Sequence, residues 1–339
     1  MHRPVDHHRR IVNAALAAGA IGGIVAFGSA VAGPVPVRLQ LGWVPGTNQA
    51  GDVVARRLGY YAAEGLDLRI QPGGPNFDGI ASVVSGRCQY GQVSSSPSVM
   101  FAVSQGVPIR CFAVGAQRHP YCYFSLRRNP VRRPADLAGK RVGVQPTGAA
   151  LLRAVLARHQ IDPASVQVVP IGASMTPLLT GQVDVVTGWL TNTTALRVLG
   201  RDRVDLPLWD AGVQLHALPY YAHTDIVQHQ PELLARFLRA TARGWLHAEA
   251  HRDEAVDLLV REYPNLDRAN ERVALDAMLG YSFGGLAGSQ GWGAMDRSSW
   301  QDQVDLYARL RMFPARVPRV DEVMTLDILA ATRAARMKA

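Results

Sequence analysis

From Val37 onward the chain alternates strand-like with helical runs, breaks off, and then starts the alternation again. This rhythm restricts the fold more than any other feature. Val37–Trp43 has apolar residues at period two and ends at Pro45-Gly46, the pattern of a strand and turn. Asn48–Ala63 places Val53, Val54, Leu58 and Tyr61 at helical spacing and stops at Gly65. A strand over 66–71, a Pro-Gly-Gly-Pro loop, a helix over 77–85 and a strand over 90–94 follow. A helix over 97–105, with serines and Pro97 at its start, and a strand over 109–116 close the first half. After the polar turn Pro134–Lys140 the pattern restarts. Strands are predicted over 141–145, 166–171, 183–189 and 205–209, with helices over 147–159 and 174–180. Beyond Pro219 come long amphipathic helices over 231–247, 253–262, 266–279 and 297–310. Two α/β units, each a mostly parallel sheet covered on both faces, predict two lobes with a cleft between them.

The first 32 residues stand apart. A basic head, His2–Arg10, precedes an uncharged Ala/Gly/Ile stretch from Ile11 to Ala26, and Ala30-Val31-Ala32 offers the small-x-small pattern of a cleaved signal. The expectation is a signal peptide over 1–32, export to a periplasmic or extracytoplasmic space, and Gly33 as the new N-terminus. An uncleaved anchor is the rival, and Arg9-Arg10 also resembles a twin-arginine signal. The 339 residues carry a net charge of +9, which loses its meaning as a nucleic-acid signal once the leader is removed. Without Arg3, Arg9, Arg10 and Asp6 the charge is +7, and the remaining arginines are scattered over helices. At 48% hydrophobic and 19% charged, the chain is not disordered. Cys88, Cys111 and Cys122 are the only cysteines; Cys111 and Cys122 could pair, or all three could be buried small side chains.

In open α/β sheets ligands gather beyond the carboxyl ends of strands. The loops there span 43–49, 73–77, 94–96, 117–120, 146–148 and 189–193. They nominate Trp43, Asn48, Gln49, Asn76, Ser94, Ser95, Ser96, Gln117, Thr147, Gly148, Trp189 and Asn192 as ligand-binding residues. The two tryptophans could sandwich a flat ligand, although either alone is as well explained by the core. The amides supply paired donors and acceptors, and the Ser and Thr-Gly turns present hydroxyls and backbone N–H groups. Asp78, Arg118 and His119 are almost the only titratable groups in these loops, poor material for acid–base catalysis. His247 and His251 stand four apart, but Glu249 is misplaced for a metalloprotease, so both are read as solvent-facing. His216, His223 and His229 read as exposed loop residues. The mature chain shows no nucleophile elbow, phosphate loop or dinucleotide fingerprint. No metal site, catalytic residue or cofactor is expected.

Several segments together resemble a known superfamily. They are Leu41-Gly-Trp-Val-Pro-Gly-Thr-Asn-Gln-Ala-Gly51, Leu58-Gly-Tyr-Tyr-Ala-Ala-Glu-Gly-Leu-Asp67, Val84-Ser-Gly-Arg-Cys-Gln-Tyr-Gly91, Pro134-Ala-Asp-Leu-Ala-Gly-Lys-Arg-Val-Gly143 and Gly181-Gln-Val-Asp-Val-Val186. The chain resembles the substrate-binding proteins of ABC importers for nitrate, sulfonates, taurine and thiamine-pyrimidine precursors, with Gln89 where that family usually has Asp. The resemblance implies a two-lobed type II periplasmic-binding-protein fold whose chain crosses between lobes near Tyr121–Leu126 and Leu215–Tyr221. Lobe one would be 33–124 plus 218–339, and lobe two 125–217. It implies a monomer that hands a small-molecule ligand to membrane permease and ATPase subunits, with no nucleic acid involved. The superfamily also holds a pyrimidine synthase that uses bound pyridoxal phosphate and its own histidine. Its lysine would fall at Val93, its histidine at Pro97 and its cysteines near 215–219. With Lys140 and Lys338 the only lysines, that enzyme is not expected. Two tryptophans and several amides suit a neutral heteroaromatic, such as a thiamine-pyrimidine precursor or a flavin, better than a sulfonate, taurine or nitrate.

Overall fold

A computed structural model describes residues 33–74 and 77–338. The leader over 1–32 and the candidate Asn76 lie outside the described residues. Among the described residues no helix is long and apolar enough to cross a membrane.

Ten strands form two five-stranded sheets. The first sheet contains β1 (Val35–Leu41), β2 (Leu66–Gln71), β3 (Tyr90–Gln92), β4 (Ile109–Ala116) and β10 (Ala217–His223), in the order β2-β1-β3-β10-β4. The second contains β5 (Tyr121–Leu126), β6 (Arg141–Val144), β7 (Gln167–Pro170), β8 (Val185–Trp189) and β9 (Arg203–Pro207), in the order β7-β6-β8-β5-β9. Each sheet has parallel pairs on one side and one antiparallel strand in fourth place, β10 or β5.

The run Tyr121–Leu126, expected as a crossing and partly assigned to lobe one, is instead a strand wholly within the second sheet. Tyr121 pairs with Trp189, and Phe124 with Val186 and Asp205. All six of its residues are buried, so it shows no in–out alternation and reads as a plain apolar run. The chain therefore passes between sheets in the short stretch 117–120 and returns before Ala217. The return strand β10 contains Pro219 and a register shift at Tyr220/Tyr221, the setting in which a sheet tolerates proline. The helix expected over 48–63 is two helices, Ala50–Arg57 and Tyr60–Ala63, parted where Gly59 takes a left-handed φ of 75°.

The C-terminal helices Pro231–Ala250, Arg252–Glu262, Arg268–Ser282 and Arg297–Arg309 match the expected periodicity. Helix Pro231–Ala250 packs Phe237 on Tyr90 (ring centroids 4.1 Å) and Trp245 on Trp292 (5.7 Å). It also crosses helix Ala50–Arg57 so closely that a Cβ on Gly244 would collide with the Gly51 carbonyl.

Two minor expectations change. His216 is buried, not exposed, and bonds Gln117 and Ser299; His247 is half-buried, with its ring between Tyr60 and Glu254. All three cysteines are buried and unpaired, Cys111 in the first sheet and Cys122 in the second.

Candidate functional site

Loops after β1 and β3 of the first sheet meet loops after β6 and β8 of the second around a small cavity of about 40 Å³. Seven nominated residues come together there: Trp43, Asn48, Gln49 and Ser94 from the first sheet, and Thr147, Trp189 and Asn192 from the second. Gly42, Gln92, Val93, Gln145 and Leu218 complete the lining.

Gln92, Val93 and Gln145 were missed because they sit at the last turns of predicted strands and were counted as sheet. For the two glutamines a signal was available: a polar residue ending a strand that points toward a cleft is a poor core residue. Leu218 carried no such signal. It lines the cavity from a backbone with φ +53°, a left-handed conformation that L residues with branched side chains seldom adopt.

The other nominated residues serve elsewhere. Ser95 bridges by backbone to Ala217. Buried Ser96 donates its hydroxyl to Gln303 (2.5 Å) and accepts from the His216 amide. Gln117 donates to the Ala294 carbonyl (3.0 Å) and accepts from the Leu286 amide (2.6 Å), which ties the passage between sheets to the C-terminal layer. Gly148 has no side chain because the Tyr121 hydroxyl occupies that space.

The site loop 46–49 is held from two sides. Its backbone N–H at Thr47 donates to the Glu271 carboxylate (3.0 Å), and the Thr47 hydroxyl donates to the same oxygen. Behind it, helix Ala50–Arg57 is locked by the glycine crossing described above. Within the cleft, Gly46 N–H donates to Gln49 Oε1 (3.2 Å) and Gln49 Nε2 donates to Gln92 Oε1 (2.8 Å).

The electrostatics are as telling as the shape. None of the lining residues is charged: the polar ones are five amides, a serine and a threonine, set beside two indoles. The nearest titratable groups are silenced. His119 packs edge-on against Trp189 (5.1 Å), and its Nδ1 accepts the Tyr121 amide; burial pushes its pKa down to about 3. Burial lowers His216 to about 4, so both imidazoles are neutral near pH 7. Arg118 turns to Asp210 (3.0 Å) and the Trp209 ring (5.6 Å), beside a different cavity. Asp78 caps its own helix by accepting from Ile80 and Ala81. Among the described residues no cluster of three or more His, Cys, Asp or Glu side chains could hold a metal.

The position that the resemblance assigned to a cofactor lysine is Val93, an aliphatic side chain in the cavity wall. Lys140 bonds Asn129 and Lys338 bonds Glu249 (2.6 Å), and neither lines the cavity. The residues present therefore do not fit pyridoxal phosphate held as a lysine imine.

Comparison with known proteins agrees with this architecture. The chain is 28% identical over 275 residues to the riboflavin-binding protein RibY of Chloroflexus aurantiacus, covering 78% of each chain. It is 28% identical over 237 residues to a 4-amino-5-hydroxymethyl-2-methylpyrimidine phosphate synthase of Legionella pneumophila, covering 68% of this chain and 74% of that one. The solved periplasmic aliphatic sulphonate binding protein SsuA of Escherichia coli superposes with a TM-score of 0.61 at 17% identity, covering 85% of this chain and 91% of that one. That likeness speaks for the fold alone, a mixed α/β fold of the periplasmic-binding-protein type. Residues 46–255 match the family described as NMT1/THI5 like. With more than half of its length matched, the chain belongs to the NMT1/THI5-like family.

Proposed function

We propose that the protein is the solute receptor of an ABC import system, binding a small neutral heteroaromatic molecule between its two lobes. The observation that carries this reading is the lining of the cleft: two indoles, five amides and no charge. Flat rings gain from aromatic faces, and ring nitrogens and carbonyls gain from amides placed to fix orientation. A sulfonate or nitrate would be buried without a cation, an arrangement that carries a large desolvation cost. Relatives named for riboflavin binding and for pyrimidine chemistry support the same ligand class.

Lobe one is taken as 33–116 with 217–338, and lobe two as the sheet built from β5 to β9. A cavity of about 40 Å³ is room for about three waters at roughly 10–15 Å³ each. A ring enters when the lobes part and is enclosed when they close. The passages at 117–120 and 208–216 are the natural hinges for that motion. The closed form would then dock on a membrane permease with its ATPase, after export directed by residues 1–32.

A thermal-shift screen of the mature chain against pyrimidines, flavins, taurine, alkanesulfonates and nitrate tests the reading. A specific neutral ring should raise the melting temperature in proportion to the logarithm of its concentration over Kd. Stabilisation by an anion alone would reverse the ligand assignment.

The second reading is a pyrimidine-precursor synthase, favoured by the name of the Legionella relative. It predicts an absorbance band of bound pyridoxal phosphate after reconstitution. Val93 in the cavity wall and the engagement of Lys140 and Lys338 elsewhere weigh against it.

A further inference from the structure

Three glutamines line the cleft, and two of them meet it with amides whose orientation is dictated by backbone groups that cannot reverse their role. On the first lobe the order starts at Gly46. Its N–H can only donate, so Gln49 must turn Oε1 toward it (3.2 Å). The Gln49 amide then has only its NH₂ for Gln92, and Gln92 answers with Oε1 (2.8 Å). The NH₂ of Gln92 is the end of this relay. Gln92 is 2% exposed, and its Nε2 has no hydrogen-bond partner among the described residues. Turning the amide round would set nitrogen against nitrogen and orphan an oxygen instead. A buried amide donor without a partner costs about 1–3 kcal/mol. Such a group in a cavity wall is an unfilled half of a recognition pair.

On the second lobe the order starts at Gly172. Its carbonyl can only accept, and Gln145 gives it Nε2 (3.3 Å). With Nε2 given to Gly172, Gln145 has its oxygen left to offer; the side chain lines the cavity and, at 8% exposure against 2% for Gln92, is the less enclosed of the two.

We propose that the cleft reads its ligand by this built-in polarity: Gln92 offers a donor from the first lobe, Gln145 an acceptor from the second. The ligand that satisfies both is an uncharged planar ring with a lone-pair-bearing nitrogen or carbonyl on one edge and an N–H on another. Aminopyrimidines and isoalloxazines meet that demand. Nitrate and sulfonates, which carry acceptors only, satisfy Gln92 but leave the oxygen of Gln145 facing oxygen. In this account Gln92 and Gln145 are the ligand-contacting pair and Gln49 is a positioning residue that sets the sense of Gln92. The inference rests on the reading of this cleft as the ligand site and adds which edge of the ring faces which lobe.

Two substitutions reverse the relay at different points. Gln92→Glu still accepts from Gln49 Nε2 but turns a carboxylate oxygen, not an NH₂, to the cleft. Gln49→Glu leaves residue 92 untouched. One carboxylate oxygen keeps the Gly46 N–H, the other draws in the NH₂ of Gln92, and the Gln92 oxygen is turned outward. Protonation restores the original order in both. A carboxylic acid at 49 donates its O–H to Gln92 Oε1, and one at 92 donates its O–H to the ligand.

The experiment is calorimetric titration of wild type, Q92E and Q49E with riboflavin and with 4-amino-5-hydroxymethyl-2-methylpyrimidine, near neutral and at mildly acidic pH. Ligand-free melting curves report folding. The expected result is a loss of roughly 10- to 100-fold in both variants near neutral pH, substantially regained in acid, while riboflavin binding by wild type hardly moves. If Q49E does not fold, Q92E alone carries the test. Variants that bind as wild type does overturn the polarity and leave the ligand site standing. A loss that acid does not repair also overturns it, since that is damage to the loop and not reversal of a donor. A wild type that binds neither ring overturns the site reading and, with it, the polarity.

Discussion

The two sheets share strand order and sense, yet they hold the same joint by different chemistry. Each is entered by a turn before its third parallel strand. In the first sheet Gln89 accepts the backbone N–H of Arg38 (2.9 Å). In the second, Asp184 accepts the N–H of Arg141 (2.9 Å) and also takes that residue's guanidinium through two hydrogen bonds (3.1 and 3.0 Å). The joint pins one strand to its neighbour, away from the cleft lining. An acid here is thus a fastening for the sheet, and at Gln89 a neutral amide oxygen makes the corresponding backbone bond. The lobes differ again in support. The first is braced by the helix crossing at Gly51 and Gly244 and carries a buried acid, Asp52; the second presents a small separate cluster around Phe124, Met175 and Val186 on one face of its sheet.

The sharpest break in this comparison is steric. Gly244→Leu should push helix Pro231–Ala250 off helix Ala50–Arg57 and destabilise the protein by about 3 kcal/mol or more. Gly172→Ala in the second lobe meets open space and should change stability by less than about 0.5 kcal/mol, as denaturant melts would record. Equal effects would mean that the first lobe is not specially braced.

The buried acid comes next. Tyr220 donates to Asp52 (2.8 Å), but burial dominates and pushes its pKa up to about 7. The folded state therefore holds a proton that the unfolded chain releases above its ordinary value near 3.9. Stability should fall as pH rises from about 4 toward 7, by at most about 1.4 kcal/mol per pH unit, and Asp52→Asn should remove this slope. A slope unchanged in Asp52→Asn would show that the carboxyl is not the group responsible.

Each lobe contributes one indole to the cleft, so Trp43→Ala and Trp189→Ala should each weaken ring binding by roughly 10- to 100-fold in a titration. A loss confined to one of them would replace a two-sided clamp by a one-sided platform.

The smallest effects separate the two fastenings. Asp184→Asn should cost about 1 kcal/mol, kept modest because Arg141 is partly exposed, and Gln89→Ala about half of that. Arg141, by hydrogen bond, holds the Asp184 carboxyl below its usual range. Its contribution is present above the unfolded value near pH 4 and is lost as pH falls through the lower folded value. Native-state hydrogen exchange should show the Arg141 amide losing protection in acid while the Arg38 amide, held by a neutral oxygen, does not.

Much of this was legible in the sequence because period-two and helical spacing survive wherever one face of an element is exposed. β2, with its alternating burial, and the long C-terminal helices show such spacing and were read to within about three residues. The central strands β5 and β10 were not, since both faces of Tyr121–Leu126 are covered and β10 carries Pro219 within it. Cavity-lining residues on loops, such as Trp43, Asn48 and Trp189, were nominated by the rule that ligands gather beyond strand ends. Gln92 and Gln145, the residues on which the proposed ligand polarity turns, look like strand residues in sequence. Their polarity at strand ends is visible in the sequence, but the fixed direction of their hydrogen bonds with Gln49 and Gly172 is displayed only by the folded chain.

The central claim is that two lobes close on one uncharged ring in a cleft without charge. Its most direct test is calorimetric titration of the chain from Gly33 onward with riboflavin, 4-amino-5-hydroxymethyl-2-methylpyrimidine and an alkanesulfonate, each at low and high salt. The account predicts one ring bound per chain with an affinity that salt leaves nearly unchanged. Binding of the sulfonate alone, weakening as salt rises, would contradict it.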